Sequence, residues 1–416
     1  MNEKLRLKML YIPMIAEGKL SVRKGARLIG IAPFSAWRLK QRYAALGDAV
    51  WIHGNTGRKP KNAKYNKQKI IEDYGKFSGT PFASFRDDCE DFLGYSPSYS
   101  TVYSALSGAG IISPRARIPV REKKKHLPRK ERPREGELVQ IDGCSHEWFI
   151  GKGKTCIHGG IDDATHKITA LYMCVNECRL GYNEMLRRTA ERFGGFPAAI
   201  YSDKSSCFFT SKDNVGKVSV QEQLAGMTEK LTEWQIMAQK LSIDLIAALS
   251  PEAKGRIERL WQTLQGRLPY IFRFLGIDTI DAANDFLSGF VDGFNARFAV
   301  PAQESALEWH GAPEESELDY LMAVKTDKKT KADGTFLYHG YRFRLLSARA
   351  ACVKFELCLS ERFGLRALMR GKYYDVELVD PLIDSVGDKM PYVVKDLMYR
   401  YHYADTHSGR ALIRAG

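Results

Sequence analysis

Two apolar runs that each end in an aspartate constrain this chain more than any other feature. Leu138-Val139-Gln140-Ile141 leads into Asp142, and Ile200-Tyr201-Ser202 leads into Asp203. Short apolar, β-branched runs of this kind are expected as strands of a buried sheet, and an acid at the end of such a strand is a charge held at the rim of a core. A third acid, Glu258, lies in Ser250-Pro251-Glu252-Ala253-Lys254-Gly255-Arg256-Ile257-Glu258-Arg259. That segment reads as a helix opened by Ser-Pro, with the glutamate on its second turn. Two strands and a helix can aim three carboxylates at one point. A carboxylate set without His or Cys suits a hard divalent cation such as Mg²⁺, which takes oxygen ligands and keeps waters and substrate phosphates, so the pattern suggests phosphoryl transfer.

The segments around Asp142, Asp203 and Glu258 resemble the D, D and E signatures of the integrase-core transposases, which include retroviral integrases and many bacterial insertion-sequence enzymes. The most specific match is the spacing Pro-x-x-x-Gly-x-x-Glu from Pro251 through Gly255 to Glu258. Residues 21–47, followed by Trp51-Ile52-His53-Gly54-Asn55-Thr56-Gly57-Arg58, look like the leading helix-turn-helix of the ISNCY-type insertion-sequence transposases. The resemblance covers roughly residues 1–300. It implies two divalent ions per active site, Mg²⁺ with Mn²⁺ as substitute, with Asp142 bridging both and Asp203 and Glu258 holding one each. It also implies DNA partners, both element ends and target, and a homo-oligomer on paired ends.

At 416 residues the chain is too long for one ordinary core, and about one domain per ~150 residues suggests three. Lys plus Arg number 63 against 49 Asp plus Glu, a formal charge of +14 that fits a polyanionic partner. No run approaches the ~18 consecutive apolar residues of a membrane span, and the first residues do not follow a signal peptide's order, so a cytoplasmic, nucleoid-associated bacterial protein is expected. Eight cysteines without a Cys-x-x-Cys pair read as buried reduced thiols. His53 is the only histidine in the first hundred residues, so the zinc module that precedes retroviral integrase cores is not expected.

The expected fold is multidomain, with all-α helix-turn-helix units first, a central α/β ribonuclease-H-like core, and a small C-terminal β-barrel. Residues 1–60 form the helix-turn-helix domain. An amphipathic helix over 3–17 precedes a second helix capped by Ser21 and closed by Gly30, then a third over 34–46 with Trp37 and Leu39 inside and Arg38, Lys40 and Arg42 outside. Arg58 and Lys59 belong to a basic arm suited to phosphates or a minor groove. Residues 61–114 read as a second helical DNA-binding unit, and a purely structural three-helix cluster fits as well. Residues 115–135, rich in Lys, Arg and Pro, are a basic linker.

Residues 136–300 are the core. Strands over 138–150, 155–162 and 167–175, a helix over 180–193 and a strand over 198–202 open a ribonuclease-H-like sheet. Asp162 and Asp163 sit in a turn and are expected to serve it. An inserted helix over 221–241 precedes a strand over 243–248, and a helix from 252 runs to 272. Besides Glu258 that helix carries Arg267 and three cations expected to bind DNA, Lys254, Arg256 and Arg259, and the family resemblance puts Gln262 and Gln265 against the donor DNA end. A helical linker over 301–332 leads to the barrel at 333–380, which Arg342, Arg344, Arg349 and Lys354 make basic. The 381–416 tail resembles nothing nameable.

The resemblance implies that water opens a phosphodiester at the element's end and that the freed 3′-hydroxyl attacks target DNA in the same site, without a covalent protein intermediate or an organic cofactor. Two other readings share many of these features. One is a sequence-specific DNA-binding regulator with an inactive integrase-like core. The other is a nuclease of the same fold acting on RNA in hybrids, which needs no helix-turn-helix units.

Overall fold

The computed structural model describes residues 3–52, 66–115, 131–205, 207–209, 231–248, 254–360, 362–379 and 390–404. Residues 1–70 and 71–416 form two units.

In the first unit, helices α1 (Glu3–Ala16), α2 (Val22–Ile29) and α3 (Pro33–Leu46) are followed by a 3₁₀ turn. The Ser21 hydroxyl accepts from Lys24 N at the start of α2, and Gly30, with φ 71°, supplies the left-handed residue that closes it. Ile12, Ile15, Ala26, Ile29 and Ala36 are the core where the three helices meet. A β carbon on Gly25 would sit 2.4 Å from Ile15 Cδ1, so α1 and α2 pack at glycine contact. Trp37 was expected inside but is 46% exposed, stacked on the exposed Phe34. The α3 position that is buried belongs to Ala36, one residue earlier, because close packing leaves no room there for an indole.

Helix α4 (Lys67–Lys76) spans the boundary, and in the second unit its Tyr74, with Phe77 just after it, gathers with Phe82 and Phe85 of α5 (Phe82–Leu93), which α6 (Tyr99–Gly108) follows. The core sheet follows with β1 (Val139–His146), β2 (Thr155–Asp162), β3 (Ile168–Cys174), helix α7 (Arg179–Phe193), the short β4 (Phe196–Pro197), β5 (Ala199–Ser202), helix α8 (Glu233–Lys240) and β6 (Asp244–Ala247). Its order is β3-β2-β1-β5-β6, antiparallel among the first three strands and parallel from β1 to β5 to β6. The expected succession of strands and helix is present, and the mixed sheet has helices on both faces.

Alternation along β1 decides what each face holds. Val139 and Ile141 enter one apolar cluster with Tyr182, Met185, Phe208, Trp234 and Leu318. Cys144 enters the other, with Trp148, Ile257, Trp261, Leu264 and Phe272. Each fully buried aromatic of this kind contributes about 1.5–3 kcal/mol through the hydrophobic effect. On the first side α8 is fixed by a capping box, in which Thr232 Oγ1 accepts from Gln235 N and Gln235 Oε1 accepts from Thr232 N.

The helix expected over 252–272 is two, α9 (Gly255–Gln265) and α10 (Leu268–Leu275), with Gly266 ending one and Pro269 near the start of the next. Arg267, in the break, is 2% exposed and pairs with Asp88 of α5 at 3.1 Å. Phe77 stacks on Phe274 at 4.3 Å, and α11 (Ile280–Phe298) reaches Asp91 through Arg297. The helices α5 and α6, with the end of α4, are therefore docked on the core by ion pairs and ring contacts.

The segment expected as a helical linker holds β7 (Trp309–His310), paired with β4, then α12 (Glu315–Met322) and β8 (Val324–Lys329). With β9 (Thr335–Tyr338), β10 (Tyr341–Leu345), β11 (Lys354–Ser360), β12 (Gly364–Met369) and β13 (Lys372–Leu378) it makes a six-stranded antiparallel sheet, ordered β8-β11-β12-β13-β10-β9. The sheet thus begins before 333, and its edge strands β8 and β9 are not paired with each other among the described residues. The tail contributes α13 (Met390–Ala404), whose Val393, Leu397 and Met398 complete the apolar core of this sheet.

Candidate active site

Strand register brings the first two acids together. Gln140 is opposite Tyr201 in the parallel β1–β5 pair, and two further residues along β1 and β5 are Asp142 and Asp203. Asp142 lies midway along β1, and Asp203 directly follows the last residue of neighbouring β5. Helix α9 runs along β1 in matching steps: Ile257 N donates to Gln140 Oε1, Trp261 Nε1 to Asp142 Oδ2, and Gln265 Nε2 to Cys144 Sγ. Four helical residues rise about 6 Å and two strand residues about 6.6 Å, so the two elements stay in phase over three contacts.

The even-numbered face of β1 is accordingly a polar row under a helix. Gln140 bridges, its Nε2 donating to Asp163 Oδ1 while its Oε1 accepts from Ile257. Asp142 has both oxygens engaged, Oδ2 by the indole at 3.0 Å and Oδ1 by the Lys254 ammonium at 2.5 Å. The same ammonium lies 3.9 Å from Asp203 Oδ2, and Asp203 Oδ1 accepts from Ser205 N. Lys254 is 8% exposed at its side chain, Asp142 22% and Asp203 51%. A cation therefore already stands between the two acids, and their hard oxygen donors fit a divalent ion.

Glu258 is exposed. It lies four residues after Lys254 and three before Trp261, the spacing of one helix face, and both of those side chains bond Asp142. Among the described residues no cluster of three His, Cys, Asp or Glu side chains is gathered closely enough to hold a metal ion.

No protein-family model matches the chain. The putative transposase y4bF of Sinorhizobium fredii is 30% identical over 315 residues, covering 74% of this chain and 65% of that protein. The transposase for insertion sequence IS1202 of Streptococcus pneumoniae is 28% identical over 350 residues, covering 76% and 72%. The chain is homologous to insertion-sequence transposases. It spans 65% of the first of these relatives, just short of two thirds of that protein's length. Among solved structures, the magnesium complex of the HTLV-2 integrase catalytic core (trimeric form) covers 37% of this chain and 84% of its own at 15% identity, with a TM-score of 0.26. A simian T-cell lymphotropic virus intasome chain covers 68% and 88% at 14% identity, with a TM-score of 0.33. At such scores the fold rests on the strand order itself.

For this transposase homologue the residues expected to face DNA divide. Arg38 and Arg42 are exposed and Lys40 half-buried on α3, and Arg259 and Gln262 are exposed on α9. Gln265 is half-buried against Cys144. Lys254 and Arg256 are not surface cations: Lys254 holds Asp142, and Arg256, 8% exposed, pairs with Glu131 at 2.6 Å and Asp163 at 3.4 Å. Arg256 in turn holds the Glu131 carboxyl below its usual range. Arg58 and Lys59 lie outside the described residues. Asp162 serves its turn as expected, accepting from Gly136 N and from Thr165 N and Oγ1.

Sequence reading missed Trp261 and a group beside Gly143. Glu177 accepts from Tyr182 Oη at 2.7 Å, and a β carbon on Gly143 would lie 2.8 Å from its Cγ. Burial pushes the Glu177 carboxyl above its ordinary range, with Asp203 and Asp142 adding repulsion. Tyr182 packs edge-on against His158, whose Nε2 accepts from Cys178 N at 3.0 Å. Periodicity alone marks Trp261 and Tyr182 as core residues, and only the fold reveals which polar atom each presents to the acids.

Proposed function

We propose that the chain is a DNA transposase that cleaves the ends of its own element and joins them to target DNA at a site built on Asp142, Asp203 and Glu258. The observation that carries this reading is the convergence of Asp142 of β1 and Asp203, just past neighbouring β5, on one ammonium, with Glu258 on the helix face between the two groups that bond Asp142. Asp142, Asp203 and Glu258 would hold two divalent ions, Mg²⁺ or Mn²⁺, with Asp142 shared. When bound, these ions supply charge neutralisation and Lewis acidity for in-line displacement at phosphorus. The chain's own work is positional: Trp261 fixes one oxygen of Asp142, Asp203 is steadied by Ser205, and Arg259 and Gln262 on the exposed side of α9 receive the DNA end.

The three-helix unit, with Arg38 and Arg42 on α3, acts as a helix-turn-helix that selects the element ends, and Lys40, Arg58 and Lys59 add phosphate contacts. The C-terminal sheet carries exposed Arg342, Arg344, Arg349 and Lys354 toward DNA. Two copies act on paired ends.

Labelled duplexes from the DNA flanking the reading frame, incubated with Mg²⁺ or Mn²⁺, test this. The wild type cuts at a defined end leaving a 3′-hydroxyl, and Glu258→Gln binds the same duplex without cutting. Specific binding with no cutting by either protein under either metal points instead to a regulator with an inactive core.

A further inference from the structure

We propose that Lys254 is the resident counter-cation of the Asp142–Asp203 pair and competes with divalent metal for it, so that this residue sets the metal concentration at which the site loads. The inference rests on the proposed metal role of the two acids and adds to it a residue that opposes loading.

The charge balance comes first. Two carboxylates side by side on adjacent parallel strands repel one another unless a cation stands between them. Lys254 supplies that cation, at 2.5 Å from Asp142 Oδ1 and 3.9 Å from Asp203 Oδ2, with a side chain 8% exposed. The second oxygen of Asp142 is taken by Trp261, so both acceptor atoms of this acid have donors. A metal ion reaching Asp142 must therefore displace one of them.

The two donors differ in what displacement costs. Trp261 is 5% exposed, its ring lies edge-on to Trp148, and its far edge fills the space where a β carbon at Gly159 would intrude at 2.6 Å. Moving it would repack the face of the sheet. Lys254 is a compact charge on a flexible four-carbon stem at the N-cap of α9, and its ammonium can leave by rotation of its own side chain. Lysine is therefore the displaceable partner, and its charge also repels an approaching dication. Exposed Asp203 marks the open side from which the ion arrives.

A structural ion pair predicts something different. If Lys254 only held β1 to α9, replacing it would lower stability without tightening metal binding.

Mn²⁺ titration of the full-length, DNA-free protein, read by the electron paramagnetic resonance of the free aqueous ion, separates these cases. Lys254→Met is expected to bind Mn²⁺ about ten-fold more tightly than wild type, since one unit charge near 4 Å is removed. Lys254→Arg binds no more tightly than wild type, and Asp142→Asn abolishes binding. Should Lys254→Met fail to give the wild-type circular dichroism spectrum, Lys254→Gln makes the same comparison with a polar side chain. Asp142-dependent binding that neither neutral variant tightens overturns the competition and leaves the metal site standing. Binding that Asp142→Asn does not weaken, or no binding by any variant, overturns the metal site and this inference together.

Discussion

The indole Nε1 of Trp261 donates to Asp142 Oδ2 at 3.0 Å, so the acid midway along β1 is oriented by a helix side chain and not by its own strand. Trp261→Phe keeps most of the ring and removes the donor. Stability falls by about 1 kcal/mol in urea denaturation, the usual net value of a hydrogen bond, and single-turnover cleavage slows by about ten-fold while duplex affinity is unchanged.

Gly159 faces Asp142 across the β1–β2 pair, and its missing side chain is the space the Trp261 ring uses. Gly159→Ala forces the indole off Asp142. The expected outcome is a loss of about 1–3 kcal/mol from overpacking, measured by thermal unfolding, and a cleavage defect at least as large as that of Trp261→Phe.

Arg256 and Arg38 carry the same charge in opposite circumstances. Removing one member of a buried pair leaves its partner uncompensated, so Arg256→Met costs about 3 kcal/mol and does not alter the salt dependence of DNA binding. Arg38→Ala leaves stability within about 0.5 kcal/mol and reduces the slope of log affinity against log salt by about one. Fluorescence anisotropy across a salt series reads both.

Asp88 makes the docking of α5 on the core sensitive to pH. Burial lifts its carboxyl from 3.8 to about 7, with Asp87 and Asp91 raising it further and Arg267 opposing. Its Oδ2 is buried without a hydrogen-bond partner. The folded chain keeps a proton there that the unfolded chain releases, so this contribution is fully present below pH 3.8 and is lost as pH rises through about 7. Asp88→Asn should flatten that fall. Urea denaturation at pH 5 and pH 8 should show a wild-type loss on the order of a few kcal/mol relative to the variant.

The strands that carry Asp142 and Asp203 were legible because an apolar run followed by an acid has a local physical meaning, but β1 does not stop at Asp142 and continues to His146. The partners of those acids were not. Lys254 and Arg256 read as DNA contacts because the groups that neutralise them, Asp142, Asp163 and Glu131, lie 93 to 125 positions away. The break at Gly266 was hidden inside continuous helical periodicity, and Trp37 was assigned inward on size alone, when the packing at that point admits only Ala36. The lysine-rich β8 read as linker because an edge strand needs few apolar residues, and the apolar residues of α13 have a purpose only once the sheet beneath them exists.

The matched steps of α9 and β1 make this site intolerant of one kind of change in particular. Substitutions along the outer face of α9 leave its three contacts in phase. Deleting a single residue between Ile257 and Trp261 would turn everything beyond it by about 100°, taking Trp261 and Gln265 away from the strand at once and leaving Glu258 alone on its original bearing. The spacing from Lys254 to Gln265 works as a ruler, and a change in its length disturbs the site more than a change in the letters written along it.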